Sequence, residues 1–531
     1  MKASTGFFSL LFILFFASSA FADNVKLSDL EIFNRCYMKM FKSVLPRTAG
    51  LALTLQQRIA AKTITGPAAC YTLLTQSQFN DNGTVRGPAS TSLAKLSDAE
   101  NKQLISTFHN FHNSWFSQRA MTFTNTDQTH FLVKDADEPS LYLTRSLFGQ
   151  AVPLSTFFTA STSLQGIRTN PDTATNRWMS KPFNANNEAN YQAQYPGQFV
   201  ISYGLANTTT ALNSYLVPDD KLISYGQLVG VKVAEPIVLP VVQMQFTRAG
   251  DTANDADLSA AVAAKRANLN LLEHLGGGVL GSQVFILKNT NLIIGQIAGY
   301  NNKPDQLIAR RLASRVFEDL LCHQMPTLLP TDAIVKNRVI PTSEFGFRQS
   351  TSCMTCHSSL DPMAYTFRSF ASYRTSPNSN VSSNALPSPE AIRGYGSSVI
   401  GMAKLPVNTA SKLFTLNTPT GELNYRDHTG ALVSQPVSSN IDLGQKLAQS
   451  NDFYRCVAKR YYEFFTGFKV NLSVANIIPE TDTPTAKYHR KQVYDMGARL
   501  KTSQNLNKLI QEILASNAFT YRNYHVESTG P

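Results

Sequence analysis

Apolar residues recur at three- and four-residue spacing along much of the chain, and this rhythm predicts a mainly helical protein. Leu27, Leu30, Phe33, Tyr37 and Phe41 trace one such face, and Leu104 to Phe116 a second. Leu141 to Phe148 and Leu154 to Phe158 read as short helices. Between them and residue 250 the texture changes. Val200 to Leu205 and Ile237 to Phe246 are β-branched or alternating, which predicts short strands in the middle region. Helix resumes through Leu269 to His274 and stops at Gly276-Gly277-Gly278. A longer pattern over Gln306 to Cys322 uses Leu307, Leu312, Val316, Leu320 and Leu321, with Pro326 and Pro330 placed to end it. A Ser, Asn and Pro-rich stretch at 376–389 reads as an exposed loop. Two closing helices are expected, Leu443 to Phe465 with a stop at Gly467, and Leu500 to Leu514.

The first residues follow another logic. Lys2 is a short positive region, Gly6 to Phe16 is almost wholly apolar, and Ala20-Phe21-Ala22 offers small residues to a signal peptidase. A secretory signal cleaved after Ala22 is the expectation, and with it a periplasmic location. The apolar run falls short of the roughly 20 residues that span a bilayer. No later run reaches that length, so no integral membrane segment is expected after cleavage. The 531 residues are too many for one ordinary domain. The pattern divides them into the signal (1–22), an N-terminal helical domain (23–135), a mixed middle region (136–250), a helical domain (251–345) and a C-terminal region (346–531).

Composition adds two constraints. Hydrophobic residues make up 43% of the chain, with 32 Phe and 20 Tyr, which is ample for real cores. The formal charge of +12 suits an acidic partner protein or anionic surface. It does not point to nucleic acid, because the basic residues are scattered and an exported protein leaves the genome behind. The glycine run at 276–278 lacks both the dinucleotide fingerprint and the Walker lysine, so it supplies no nucleotide site. His109 and His112 lie three apart, but without a third ligand nearby they read as an ordinary helix face.

The sharp chemical signal is Cys353-Met354-Thr355-Cys356-His357. Two thiols at this spacing add across the vinyl groups of haem, and the adjoining imidazole reaches the iron from the same turn. A thioredoxin-like dithiol would follow a strand in a compact α/β unit, whereas these flanks are polar and turn-like. Zinc would need two further ligands, and no second C-x-x-C supplies them. One covalently attached haem c per chain is therefore expected, with Cys353 and Cys356 as tethers and His357 as an iron ligand. For the opposite face Met402 leads, carried on a loop across the haem. Met363, His323, His428 and an open position are the alternatives. Asp361 is expected to cap the turn after the motif and Pro362 to restrict it. Four cysteines remain, and an oxidising compartment favours Cys36–Cys70 and Cys322–Cys456, with free buried thiols as the alternative.

With these residues in view, the chain resembles the planctomycete-type cytochrome c domain-containing proteins, large exported bacterial proteins of poorly defined function. The haem segment His357-Ser358-Ser359-Leu360-Asp361-Pro362 is similar to their motif followed by Asp-Pro. Arg311 through Leu321-Cys322 resembles their arginine-rich helix ending in Leu-Cys, and Phe453-Tyr454-Arg455-Cys456 their cysteine-bearing helix. The closing Ile513-Leu514-Ala515-Ser516-Asn517-Ala518-Phe519 and Arg522 also agree. Ala364, Arg368 and Ala371 depart from it, standing where glycine, an acidic residue and aspartate are usual. The resemblance implies haem-linked redox work without a defined substrate. The leading expectation is a periplasmic monohaem electron-transfer protein or redox-assembly subunit, working with a periplasmic redox partner. The alternatives are a haem-dependent oxidoreductase or peroxidase and a haem-stabilised binding or scaffold protein.

Overall fold

The computed structural model describes residues 24–46, 50–76, 96–116, 130–132, 137–149, 151–168, 178–179, 202–203, 222–227, 242–245, 274–289, 308–335, 338–343, 346–375, 398–410, 416–473 and 482–526. The expected signal peptide and the expected 376–389 loop lie outside these residues. Within them the protein is mainly helical, with short strands scattered between the helices. No helix among the described residues is long and apolar enough to cross a membrane.

The helices begin where side chains can satisfy their first amides. Ser28 and Glu31 form a reciprocal capping box at the start of Asp29–Phe41, and Ser97 and Glu100 repeat it before Asp98–Asn113. Thr65 caps Gly66–Thr75, with proline in its first turn. The buried face of the first helix comprises Ile32, Phe33, Cys36, Tyr37, Met40 and Phe41. The helix Gly66–Thr75 packs against both this first helix and the late helix Leu506–Ala515. The described ends of the chain meet. Val25 and Lys26 pair antiparallel with Arg522 and Tyr521, and Arg35 donates to the carbonyls of Phe519 and Thr466 at 2.8 and 3.0 Å.

One hydrophobic core draws on every span into which the sequence divides the mature chain. Phe108, Phe148, Tyr461, Phe464 and Phe465 form an aromatic centre, with Phe108 within 6.5 Å of each of the others. His109 and His112 are buried at its margin. His109 meets Asp137 at 3.2 Å, and His112 meets Thr144 at 2.9 Å and Tyr461 at 2.7 Å. Helix Glu138–Phe148 is almost wholly buried, and the Glu138 carboxylate at its start accepts from Ser282 Oγ and Leu164 N–H. The glycine run makes the close approach its sequence suggests. A Cβ on Gly278, at φ +58°, would stand 2.1 Å from the Phe157 carbonyl oxygen.

Strands occupy the middle region as the alternation predicts, with Ser202–Tyr203 inside one expected segment and Val242–Gln245 inside the other. The largest sheet runs in the order His130–Leu132, Ser398–Lys404, Phe370–Thr375, Val242–Gln245. A separate antiparallel hairpin pairs Gly421–Arg426 with Leu432–Val437.

Several boundaries differ from expectation for local reasons. The helix foreseen over 306–322 runs as Ile308–Arg315 and then widens into a π-helix over Val316–Leu320. The helix foreseen over 443–465 is two, Asn440–Gln449 and Asn451–Thr466. Ser450 ends the first and caps the second by accepting from Asp452 N–H at 3.2 Å. The last predicted helix is likewise divided. Pro484–Ser503 ends at Gln504 in the left-handed region, and Asn505 caps Leu506–Ala515. Gly467 does terminate its helix in the left-handed conformation.

Cys322 and Cys456 form a disulfide, which ties the end of the π-helix to helix Asn451–Thr466. The second expected bridge is absent: Cys36 and Cys70 are buried free thiols. The two thiols contact each other without bonding, and each has a further neighbour, Met40 Sδ at 3.8 Å from Cys36 and the Ile32 carbonyl at 3.9 Å from Cys70.

Candidate functional site

The cysteine-histidine motif lies on a helix, Thr351–Tyr365, rather than on the turn its polar flanks suggest. Residues three and four apart share one helical face. Cys353, Cys356 and His357 therefore project together. Cys353 is exposed and Cys356 half-buried, and both are free thiols. Burial pushes the Cys356 thiol up, and the neighbouring Cys353 adds to this.

Pro362 stands inside this helix and has no N–H to give to the carbonyl of Ser358 one turn back. Asn424 Nδ2, on the hairpin, donates to that carbonyl at 3.1 Å instead. The hairpin is pressed against the helix, since a Cβ on Gly421 would lie 2.2 Å from the Pro362 carbonyl oxygen. A buried hydroxyl contact between Thr327 and Ser359 at 2.7 Å secures another side. Pro362 thus restricts a helix and not a turn, and the same correction applies to Asp361. It caps nothing. One helical turn beyond His357, its carboxylate oxygens lie 3.2 and 3.3 Å from His357 Nδ1. Arg310, from helix Ile308–Arg315, grips the same carboxylate with Nε at 2.5 Å and Nη2 at 2.9 Å.

These contacts fix the chemistry of the imidazole. Burial opposes ionisation of Asp361, but hydrogen bonds from His357 and Arg310 outweigh it and hold the carboxyl below its ordinary range. An ionised carboxylate can only accept, so His357 presents Nδ1–H to it and Nε2 is the ring nitrogen left for another partner. Among the described residues Nε2 has no hydrogen-bond partner, and the side chain is 25% exposed. Phe347 packs on the ring with centroids 4.4 Å apart, and Arg310 lies over Phe347. The result is an accessible helix face with two free thiols and an oriented nitrogen donor. That donor set fits covalent haem attachment.

Met402 is not on a loop. Its backbone belongs to strand Ser398–Lys404, where it pairs with Ser372, and its side chain lies outside the described residues. The two histidines considered as alternatives stand together. His323 and His428 stack with centroids 4.2 Å apart and both face Asp452. His323 Nε2 lies 2.7 Å from Asp452 Oδ2, and His428 Nδ1 lies 3.3 Å from Oδ1. The backbone N–H of His428 also donates to this carboxylate, at 3.1 Å, and so does Arg455 Nη1, at 3.1 Å. Burial works against the charge on Asp452, yet the hydrogen bond from His323 and the proximity of His428 overcome it and hold the carboxyl far below its usual range. Burial depresses His428, with Asp452 opposing.

Arg310 and Asp452 were not singled out by sequence. The signal for Arg310 was weak, but Asp361 lies four residues after His357, which on a helix means contact. For Asp452, the expected Cys322–Cys456 bridge was the clue. It brings His323 beside a residue one turn from Cys456.

No protein-family model matches the chain, and neither a curated protein nor a solved structure does. The reading of function therefore rests on the residues and their geometry.

Proposed function

We propose that helix Thr351–Tyr365 is the attachment site of a single c-type haem, tethered by Cys353 and Cys356 and ligated by His357. On this reading the chain is an exported, periplasmic electron-transfer protein or the electron-entry subunit of a larger redox assembly. The observation that carries it is the His357–Asp361–Arg310 chain, which engages Nδ1 and leaves Nε2 as the ring nitrogen for an iron on the face that bears both thiols.

When bound, haem c supplies one-electron exchange between ferric and ferrous iron. The chain's own residues perform the rest. Asp361 fixes the tautomer of His357 and makes the imidazole a stronger donor, as carboxylate partners of ligating histidines do. Arg310 holds Asp361 in place and balances its charge. Phe347 limits rotation of the ring. Asn424 replaces the hydrogen bond that Pro362 cannot give, and Gly421 lets the hairpin press on the helix there, so the helix that carries the tethers is held by packing.

The likeness to planctomycete-type cytochrome c domain-containing proteins supports the same reading, as does the signal-like N-terminus. The surplus of 48 basic over 36 acidic residues suits an acidic redox partner. The test is export in a host with cytochrome c maturation, followed by haem staining on a denaturing gel and intact-mass measurement. The expected mass is the cleaved chain plus one haem, and Cys353→Ala/Cys356→Ala should lose the stain. A correctly exported chain with both thiols unmodified would refute the proposal. Rapid binding of carbon monoxide by the reduced protein would transfer the assignment to the oxidoreductase or peroxidase alternative.

A further inference from the structure

We propose a second, independent site: His323, His428 and Asp452 bind one divalent transition-metal cation of the zinc class. The site does not depend on haem attachment, and it uses no residue of the motif helix.

Three ligand atoms, one from each residue, lie within 4.8 Å of one another, and the side chains are 12%, 1% and 0% exposed. His428 supplies the independent observation. It is buried, yet neither of its ring nitrogens has a hydrogen-bond partner. The Nδ1 contact with Asp452 at 3.3 Å is too poorly directed to count as a hydrogen bond. A buried polar group left without a partner costs about 1–3 kcal/mol. A cation that accepts the imidazole lone pair removes that cost at the nitrogen it binds.

The three residues are already held in position. His323 follows Cys322, and Asp452 lies one helical turn before Cys456, so the disulfide anchors two of the three ligands. The backbone of His428 is held at both ends. Its N–H donates to Asp452, and its carbonyl accepts from the Tyr494 hydroxyl at 2.8 Å. Arg455 donates to Asp452 Oδ1 and stacks on Tyr494, which fixes the carboxylate between the two imidazoles. Its positive charge also tempers the affinity.

Two imidazoles and one carboxylate select zinc or a neighbouring first-row cation over magnesium or calcium, which prefer all-oxygen sites. Ligand bonds of about 2.0–2.1 Å in a tetrahedron put donor atoms about 3.3 Å apart. The 2.7 Å His323–Asp452 hydrogen bond therefore opens slightly as the more distant donors close. Three protein ligands leave one position for water or a small anion, as in zinc sites with an open coordination position. His323, the least buried of the three, marks the side from which it is reached.

The test uses the full-length chain stripped of metal, both as wild type and as Cys353→Ser/Cys356→Ser, in which the motif thiols cannot bind metal. Cobalt(II) is titrated by visible absorption, and zinc is then added in competition and in thermal melts. The proposal expects one cobalt per chain in both proteins, with the intense visible bands of four-coordinate cobalt, displacement by zinc and a higher melting temperature with zinc. His428→Phe keeps the ring volume and removes both nitrogens. It should weaken binding more than about 100-fold, the upper range for losing only an outer-shell partner. It should also abolish the zinc-dependent rise while leaving the metal-free melting temperature unchanged or higher. His323→Gln, at the more exposed ligand, is the second variant and should likewise lose the bands. Absence of cobalt binding in the stripped wild type, or undiminished binding in a folded variant of either histidine, overturns the proposal.

Discussion

Replacing both halves of the Cys322–Cys456 bridge, as Cys322→Ala/Cys456→Ala, releases a loop of 134 residues in the unfolded chain. In the chain-entropy description a loop of that length is worth about 5 kcal/mol at 25 °C. Cys456 is buried at 1% exposure, so its loss also leaves a small void. Native-state adjustment works in the other direction, and measured values for such bridges are commonly ~2–4 kcal/mol. The expected net loss is therefore about 3–5 kcal/mol. Cys322 sits at φ 56°, and alanine keeps that strained conformation. Cys322→Gly in the same background should recover roughly 0.5–1 kcal/mol by relieving it. Urea unfolding by tyrosine and tryptophan fluorescence provides the measurement, in three samples: oxidised wild type, wild type with reductant, and the double variant. The reduced wild type and the variant should share a lower midpoint. Coincident midpoints for all three samples would refute the reasoning.

Three more predictions concern the motif helix and the buried histidines. Asp361→Asn removes the charge that pairs with Arg310 and His357, and should raise the reduction potential of the haem-loaded protein by weakening the His357 donor. Because Arg310 is 34% exposed, the stability loss should be only roughly 1 kcal/mol; an unchanged potential in spectroelectrochemical titration contradicts the role given to Asp361. Asn424→Leu should cost about 1–3 kcal/mol, because Pro362 leaves the Ser358 carbonyl with no donor in its own helix. Adding Pro362→Ala, which restores that N–H, should rescue part of the loss, and a strictly additive double-mutant cycle would defeat the explanation. His489 accepts or donates to the Tyr462 hydroxyl at 2.6 Å, and burial depresses its pKa from 6.5 to about 4. The unfolded chain thus binds the extra proton first. Stability is full above pH 6.5 and falls as pH drops towards 4, by roughly 1–3 kcal/mol after allowance for solvent screening. A His489→Phe variant with the same slope in that window would remove His489 as the cause.

Features of the chain that act locally were legible in the sequence. The apolar runs at 141–148 and 154–158 fall in helices and Gly467 stops its helix, whereas the helix before Cys322 ends at Leu320 ahead of both prolines, and Pro330 opens the next one. The C-x-x-C-H spacing was equally plain. What escaped was set by contacts between distant segments. Pro362 and the polar flanks suggested a turn, and only Asn424, supplied from a hairpin some sixty residues later, lets the helix continue. The same misreading hid the His357–Asp361 contact, which needs helical geometry to exist. Ser450 and Asn505 carry a capping signal that is easily overlooked, because apolar periodicity runs on across both breaks. Cys36 and Cys70 sit in one region of sequence and in contact in space, yet they stay a pair of free buried thiols, which spacing alone does not tell from a bridge. His323, His428 and Asp452 are single residues spread over 129 positions, with no spacing to betray them.

The pairing of Val25 and Lys26 with Arg522 and Tyr521 bears on how the protein comes to be folded. The first helix buries Ile32, Phe33, Tyr37, Met40 and Phe41 among the early helices, and one of these, Gly66–Thr75, packs in turn on the late helix Leu506–Ala515. A ribosome delivers that late helix more than four hundred positions after Thr75. The early helices can therefore pack on one another first, but their contact with the late helix and the pairing of Val25 and Lys26 wait for the end of the chain. Contacts of such long sequence separation also form slowly. The face of Gly66–Thr75 that meets the late helix is thus left waiting through most of synthesis, and shielding it until then is a demand the fold places on the host.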